Sequence, residues 1–270
     1  MLAERATAPQ ARARWQQTAA TCLAATREAA AECAVSLLDL VAPSHCLSCG
    51  QAARGVLCAS CHGRCEVPSG PACPQCGAPW SRARAARSVP GQCGRCRRWG
   101  QRFDFDFAVA LYRYRGPPRE LVRALKFRGA QQAAVAGGRW MAADPRCAAP
   151  ALAWGRDVLV VNVPARAASR RQRGYDQAEC LAASYAAALR REHAPSALRR
   201  LRQTGPQVGR SRAVRRAAVA GAFAARELLV LDRPVVLVDD VLSTCASADA
   251  CSRALRLAGA RAVAVVAFAT

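Results

Sequence analysis

Four segments between residues 103 and 268 have the hydrophobic pattern of β-strands. Residues 235–238 and 262–268 are uninterrupted apolar runs, and residues 157–163 form a third run that begins at Asp157 and is interrupted by Asn162. Short runs of this kind predict strands that are buried on both faces, as in a parallel sheet. Residues 103–114 alternate between apolar and polar side chains, which also predicts a strand.

Helical spacing of apolar residues follows each of the predicted strands except the last, at 262–268. The predicted helices cover residues 119–127, 130–143, 178–189 and 248–258. Alternation of strands and helices over residues 103–270 is typical of an α/β domain with a doubly wound parallel sheet. We expect loops around Pro145 and Pro150, and again over the basic residues 166–173.

The first 34 residues have a different composition from the rest of the chain. They are rich in alanine, with scattered arginine, glutamine and glutamate, and propensity predicts a helical extension over residues 1–34. Charged residues such as Glu4, Arg5 and Arg12 stand where a secretory leader would need an apolar core. No segment has the length and apolarity of a membrane span, so we expect a soluble, cytoplasmic protein.

The chain is strongly basic. Its formal net charge is +22, and Lys126 is the only lysine, so arginine supplies almost all of the positive charge. A charge of this size favours contact with polyanions such as nucleic acids or phosphorylated ligands. Abundant arginine and alanine together also reflect genomic base composition, so the charge permits such partners without identifying one.

Eight of the fifteen cysteines form four C-x-x-C pairs within residues 35–102, which we interpret as a double zinc ribbon. Two such pairs complete a tetrahedral, all-cysteine zinc site, which is structural because it leaves no position for water. The spacing favours two ions with successive pairs on each, although a crossed pairing of first with third and second with fourth stays open. The predicted ligands are Cys46, Cys49, Cys58 and Cys61 for one ion, and Cys73, Cys76, Cys93 and Cys96 for the other.

Two acidic residues and a polar loop follow the apolar run at 235–238. Asp239 and Asp240 fall at the carboxyl end of this strand, where open α/β sheets bind their ligands. The small residues after them lead into a helix, and backbone N–H groups in such a turn are suited to a phosphate. Together these features predict a sugar-phosphate site. The loop residues are Ser243, Thr244, Cys245, Ala246 and Ser247.

Basic residues follow two other predicted elements. Arg166 and Arg173 lie in the segment after the strand at 157–163, where cations could receive a pyrophosphate group. Lys126 ends the predicted helix at 119–127, and its position fits a surface cation at a helix C-terminus as well as it fits a phosphate contact.

The order of these motifs resembles the ComF family, whose members join a double zinc ribbon to a phosphoribosyltransferase-like domain and are associated with bacterial competence. The resemblance runs from about residue 37 to the end of the chain. It is carried by the four cysteine pairs, L-K-F-R-G at 125–129, R-G-Y-D-Q at 173–177, the segment at 202–223 and V-D-D-V at 238–241. It implies domains at residues 35–102 and 103–270.

The resemblance also implies roles for these residues. Asp239 and Asp240 would hold the ribose hydroxyls of phosphoribosyl diphosphate (PRPP), and residues 243–247 would bind its 5′-phosphate. Mg²⁺ would accompany the pyrophosphate, which Arg166, Arg173 and Lys126 would neutralise. The chain departs from the family pattern at three positions: Cys245 replaces a glycine, and Asp176 and Ala218 each replace an asparagine.

Two functions of different classes follow. The first is a PRPP-binding protein of the phosphoribosyltransferase family, with or without transferase activity, that acts in DNA uptake. The second is a non-enzymatic accessory protein that binds single-stranded DNA through its zinc ribbons and basic loops, together with a helicase-like partner of DNA uptake. Aromatic residues for stacking on bases are sparse among the arginines, which counts against the second function.

Overall fold

The computed structural model describes residues 45–70, 72–79, 93–99, 102–201 and 221–270. The predicted helix at 1–34 and most of the basic segment around Thr204 lie outside these residues. By its contacts the chain divides into two compact units. The smaller unit includes Gly50–Cys58, and the larger contains Leu47–Cys49 and Ala59–Thr270. The domain boundaries at residues 35 and 103 stay a prediction.

Seven strands are described in the larger unit. Five of them form one sheet in the order β1-β7-β6-β2-β3, and every neighbouring pair in it is parallel. The remaining two, β4 and β5, pair antiparallel as a separate sheet. The strands are β1 (Phe107–Tyr112), β2 (Leu159–Asn162), β3 (Glu192–His193), β4 (Leu198–Arg200), β5 (Phe223–Ala225), β6 (Pro234–Val241) and β7 (Ala262–Ala269).

The predicted parallel α/β sheet is therefore confirmed. The three apolar runs of the sequence become β2, β6 and β7, and the alternating segment becomes β1. Strands β6 and β7 lie inside the sheet, where both faces are covered, and this burial explains why β7 and residues 234–238 of β6 are apolar.

Nine helices are described. They are α1 (Ala59–Gly63), α2 (Gly94–Trp99), α3 (Pro117–Phe127), α4 (Gln131–Ala143), α5 (Pro145–Ala153), α6 (Ala167–Arg173), α7 (Gln177–Leu189), α8 (Glu227–Val230) and α9 (Ala246–Leu257). Helix α7 packs on α4 and on the β2–β6 side of the sheet, and α9 packs against β4, β5 and the sheet. A β-carbon on Gly138 would come within 2.6 Å of the Leu181 carbonyl oxygen, so glycine permits the close approach of α4 to α7.

Two segments predicted as loops are helices instead. Residues 145–153 form α5 because Asp144 caps its N-terminus, accepting from the backbone N–H groups of Arg146 and Cys147. Pro145 fits in the first turn of the helix, where backbone N–H groups have no partner within the helix, so its missing N–H group costs no helical hydrogen bond. Residues 167–173 form the short helix α6, which ends at Gly174 in the left-handed conformation. Within the described residues, no helix is long and apolar enough to cross a membrane.

Candidate functional site

The eight predicted zinc ligands form two groups, and the pairing is the one that the spacing favoured. Within each group the four sulfur atoms lie within 4.8 Å of one another. In the group of Cys73, Cys76, Cys93 and Cys96, individual Sγ–Sγ distances are 3.4, 3.6 and 3.7 Å. A zinc tetrahedron with ordinary Zn–S bonds has edges of about 3.8 Å. Both groups are therefore compatible with structural zinc sites.

The second cysteine group belongs to the hydrophobic core of the larger unit. Its four side chains are between 1% and 4% exposed, and they cluster with buried residues of β1, β6 and β7. Burial raises the pKa of Cys96 to about 12, and it also raises the pKa of Cys76. Buried thiols are thus hard to ionise without a cation among them, and Zn²⁺ would supply that charge.

A glycine brings this cysteine group against the edge of the sheet. Gly77 follows the second ligand with a φ of +64°, and a β-carbon there would lie 2.3 Å from the Ala108 carbonyl oxygen on β1. No other residue type fits both the backbone angle and this distance. The second metal group therefore supports β1 directly.

A cleft of about 760 Å³ opens at the carboxyl ends of β2 and β6. This is the edge at which open α/β sheets hold their ligands. Every residue predicted for the sugar-phosphate site lines the cleft: Lys126, Arg166, Arg173, Asp239, Asp240, Ser243, Thr244, Cys245, Ala246 and Ser247. The structure thus brings together residues that are up to 121 positions apart in the chain, from Lys126 to Ser247.

The two aspartates have different surroundings because successive residues of a strand point to opposite faces. The Oδ2 atom of Asp240 lies 2.8 Å from Lys126 Nζ and accepts a 3.3 Å hydrogen bond from Gln177 Nε2. The charge of Asp239 acts on Lys126 as well, and also on the Arg200 guanidinium and the Cys251 thiol. Its Oδ1 atom accepts from the Asp240 backbone N–H at 2.8 Å. Each carboxylate therefore uses one oxygen in a hydrogen bond that the structure describes.

The pKa values of Asp239 and Lys126 are both shifted by their surroundings in the cleft. Burial and the neighbouring Asp240 raise the pKa of Asp239 well above its usual value, and Lys126 offsets this only in part. Burial by itself would lower the pKa of Lys126, but the charge and hydrogen bond of Asp240, with help from Asp239, raise it above its usual value. Lys126 is thus a paired cation within the cleft, which its sequence position alone left open.

The loop after β6 keeps the backbone shape that a glycine would favour. Cys245 has φ +64° and ψ 3°, in the left-handed region, and it occupies the N-cap of α9. Its side chain is buried, and its carbonyl oxygen accepts from the Asp249 N–H at 2.8 Å. Thr244 Oγ1 accepts from the Ala246 N–H at 3.4 Å. The loop therefore forms at the N-terminus of a helix despite the cysteine, at the cost of a strained residue.

Asp176 fixes the basic side of the cleft. One of its oxygens accepts from the N–H groups of Ala178 and Glu179 and so caps α7, and the other accepts from the Ala165 N–H at 2.7 Å. Both oxygens act as acceptors, a task that an asparagine amide cannot repeat because its nitrogen only donates. The acidic side chain at this position thus has a structural role.

Two further residues of the cleft were missing from the predicted site. Gln177 accepts from Arg173 Nη1 at 2.8 Å and donates to Asp240, so it links the basic side to the acidic side. Arg200 on β4 donates to the Pro164 carbonyl oxygen at 3.3 Å and lies 4.5 Å from the centre of the Phe223 ring. Gln177 stands in the R-G-Y-D-Q motif, so the motif was a usable signal for it. Arg200 had no comparable signal among so many arginines.

Comparison with known proteins identifies the cysteine-rich part of the chain. Residues 37–98 match the family model described as a double zinc ribbon domain. No curated protein matches the chain.

Two solved structures are similar to half of the chain. One is glutamine PRPP amidotransferase from B. subtilis complexed with ADP and GMP, with 24% sequence identity and a TM-score of 0.35. The other is the allosteric regulatory enzyme of purine biosynthesis, with 22% sequence identity and a TM-score of 0.34. Each match covers 50% of this chain and 26% of the other protein. The chain thus combines a double zinc ribbon with an α/β domain.

Proposed function

We propose that the cleft binds PRPP together with Mg²⁺, and that the chain is a phosphoribosyltransferase-like protein of the ComF type. The observation that carries this proposal is the shared cleft. Two carboxylates, a helix-capping polar loop and several basic side chains converge on one space of about 760 Å³ at the carboxyl edge of a parallel sheet.

Each part of PRPP has a matching group in the cleft. The acidic pair offers carboxylate oxygens that suit ribose hydroxyl donors. Asp240 Oδ2 contacts Lys126 and Gln177, Asp239 Oδ1 accepts from the Asp240 N–H group, and the two side chains also interact with each other. Residues 243–247 offer N–H groups and hydroxyls at the start of α9 to the 5′-phosphate. Arg166, Arg173 and Arg200 line the remaining wall and suit the diphosphate.

The donor set also fits Mg²⁺. This ion is usually held by one or two carboxylates together with substrate phosphates and water, and the cleft offers two carboxylates beside the proposed phosphate positions. When bound, Mg²⁺ would neutralise charge on the diphosphate. The aspartates would orient the sugar, and the arginines would hold the leaving group.

The same arrangement supports phosphoribosyl transfer. The bond between C1′ and the diphosphate oxygen would break, and its electron pair would leave with the pyrophosphate. A nucleophilic atom of the acceptor would form the new bond to C1′ and release its proton to solvent. Positive charge develops on the ribose in such a step, and nearby carboxylates stabilise it.

Calorimetry with PRPP and MgCl₂ tests the proposal. We expect binding to the zinc-loaded wild-type protein and loss of at least tenfold in affinity in the Asp239→Asn/Asp240→Asn variant. Asp157→Asn, an exposed aspartate remote from the cleft lining, is the matched control and should bind as the wild type does. Equal heats in the wild type and the double variant would reject the site.

We further propose that the protein acts in DNA uptake, in the cytoplasm. The net charge of +22 and the exposed Arg170 and Arg171 of α6, close to the cleft, support contact with a polyanion. Affinity for single-stranded DNA should fall steeply with salt concentration if several phosphates are neutralised. A salt-independent signal, or none, would contradict this role.

A further inference from the structure

Lys126 holds one of the two carboxylate oxygens of Asp240 in an ion pair. Its Nζ atom lies 2.8 Å from Asp240 Oδ2, and that oxygen also accepts from Gln177 Nε2. Asp240 is 5% exposed, so water does little to screen the pair. The cleft therefore already contains a cation bound to one of its two carboxylates.

Two arginines of the cleft wall donate hydrogen bonds to neutral groups. Arg173 donates to the side-chain oxygen of Gln177, and Arg200 donates to a backbone carbonyl and stacks on Phe223, although the charge of Asp239 also acts on Arg200. Arg173 can therefore turn toward an anion without taking its charge from a carboxylate. Lys126 differs, because any movement toward a phosphate removes the positive charge from Asp240.

A free divalent cation meets an obstacle at this position. To bind Asp240 it must approach an ammonium group at hydrogen-bond distance from the same carboxylate, and like charges this close repel strongly in a poorly hydrated site. Displacement of Lys126 by the metal alone would break this ion pair and leave the half-buried ammonium with only the weaker influence of Asp239 and Tyr114. A metal that arrives with a diphosphate brings a negatively charged partner for the displaced ammonium.

We infer that Lys126 keeps free divalent cations away from Asp240 and yields that carboxylate only when metal and diphosphate enter together. The inference deepens the proposed function, on which it rests, and assigns Lys126 a role in selecting the metal–diphosphate complex over the metal alone. Lys126 acts through Asp240 and is in this sense a positioning residue.

Titration of Mn²⁺ alone, followed by electron paramagnetic resonance, tests the inference on zinc-loaded protein. We expect weak binding to the wild type and at least tenfold tighter binding to Lys126→Gln. Addition of Asp240→Asn to that variant should abolish the gain. Arg123→Gln is the matched control, because Arg123 lies on the same helix in an exposed ion pair with Glu120, and it should behave as the wild type does.

Nuclear magnetic resonance of the wild-type protein gives a second measurement that needs no variant. Lys126 is the only lysine, so protein labelled with ¹³C-lysine reports on this side chain alone. We expect its signal to stay in place with Mg²⁺ alone and to shift when Mg²⁺ and inorganic pyrophosphate are added together.

The outcomes separate the inference from the proposed function. Equal Mn²⁺ affinity in the wild type and Lys126→Gln, or a lysine signal that moves with Mg²⁺ alone, would overturn the role of Lys126 even if PRPP binds. Failure of PRPP to bind, combined with the expected Mn²⁺ results, would overturn the substrate and retain the exclusion of free metal by Lys126.

Discussion

Asp239 and Asp240 are neighbours in the chain, yet only Asp240 has its charge compensated by a directly bound cation in the described structure. Lys126 Nζ lies 2.8 Å from Asp240, whereas Asp239 accepts from a backbone N–H group. The alternation of side chains along β6 produces this difference. Substitution of the two adjacent aspartates should therefore have different effects on the free energy of unfolding.

We predict opposite effects on stability for the two single variants. Asp240→Asn leaves Lys126 without its partner and should lower the free energy of unfolding by about 1–3 kcal/mol. Asp239→Asn removes a carboxylate whose pKa is raised by burial and by Asp240, and should raise the free energy of unfolding by about 0.5–2 kcal/mol. Urea denaturation at pH 7 measures both. Changes of the same sign would contradict the asymmetry.

The pKa of Lys126 provides a second prediction. Because Asp240 raises this pKa above the unfolded value, the stability contributed by the pair is fully present below about pH 10.4 and is lost as pH rises through the higher folded value. Asp239, Asp240 and Tyr114 are the groups whose charges act on Lys126. In Asp240→Asn, burial should dominate and the pKa of Lys126 should fall. A ¹³C-lysine titration measures it directly, and an unchanged pKa would count against the pair.

Cys245 allows a test of backbone strain at the predicted phosphate loop. Cys245→Ala and Cys245→Gly both remove the sulfur, but only glycine adopts the left-handed conformation without strain. We expect Cys245→Gly to be more stable than Cys245→Ala by about 1 kcal/mol, and to bind ribose 5-phosphate more tightly. Urea denaturation and calorimetry are the measurements. Equal stability and equal affinity of the two variants would contradict the role of backbone strain at residue 245.

Gly77 tests the contact between the second cysteine group and β1. Gly77→Ala places a β-carbon 2.3 Å from the Ala108 carbonyl oxygen, in addition to the strain of a positive φ. Gly50→Ala is the matched control, with a φ of +75° and nothing within 4 Å of the added carbon. We expect Gly50→Ala to cost about 1–2 kcal/mol and Gly77→Ala clearly more. Similar losses of unfolding free energy would mean that the cysteine group does not support β1.

We expect that removal of zinc from the second cysteine group destabilises the sheet domain. Its four thiols are buried in the core that also contains residues of β1, β6 and β7, so their separation would open that core. We expect two zinc ions per chain by elemental analysis. Chelation should lower the midpoint of urea denaturation of the sheet domain, and retention of the midpoint after complete metal loss would contradict this coupling.

Local features of the sequence determined a large part of the fold. Apolar runs predicted β2, β6 and β7 because a strand buried on both faces strongly favours apolar side chains, and this requirement acts within a few residues. The four C-x-x-C pairs likewise predicted two metal groups, since each pair is a complete local unit. The acidic pair at 239–240 predicted the position of the cleft, because it directly follows the apolar run that forms most of β6.

Tertiary structure decided what those residues contact. Helices α5 and α6 were predicted as loops because of the prolines at 145 and 150 and the run of basic residues at 166–173. They form helices because Asp144 caps α5 and because Gly174 ends α6 in the left-handed conformation. The contacts of Asp240 with Lys126 and Gln177 join positions 114 and 63 residues away, and no local pattern encodes such distances. They exist because the strand order β1-β7-β6-β2-β3 brings the ends of separate elements to one edge of the sheet.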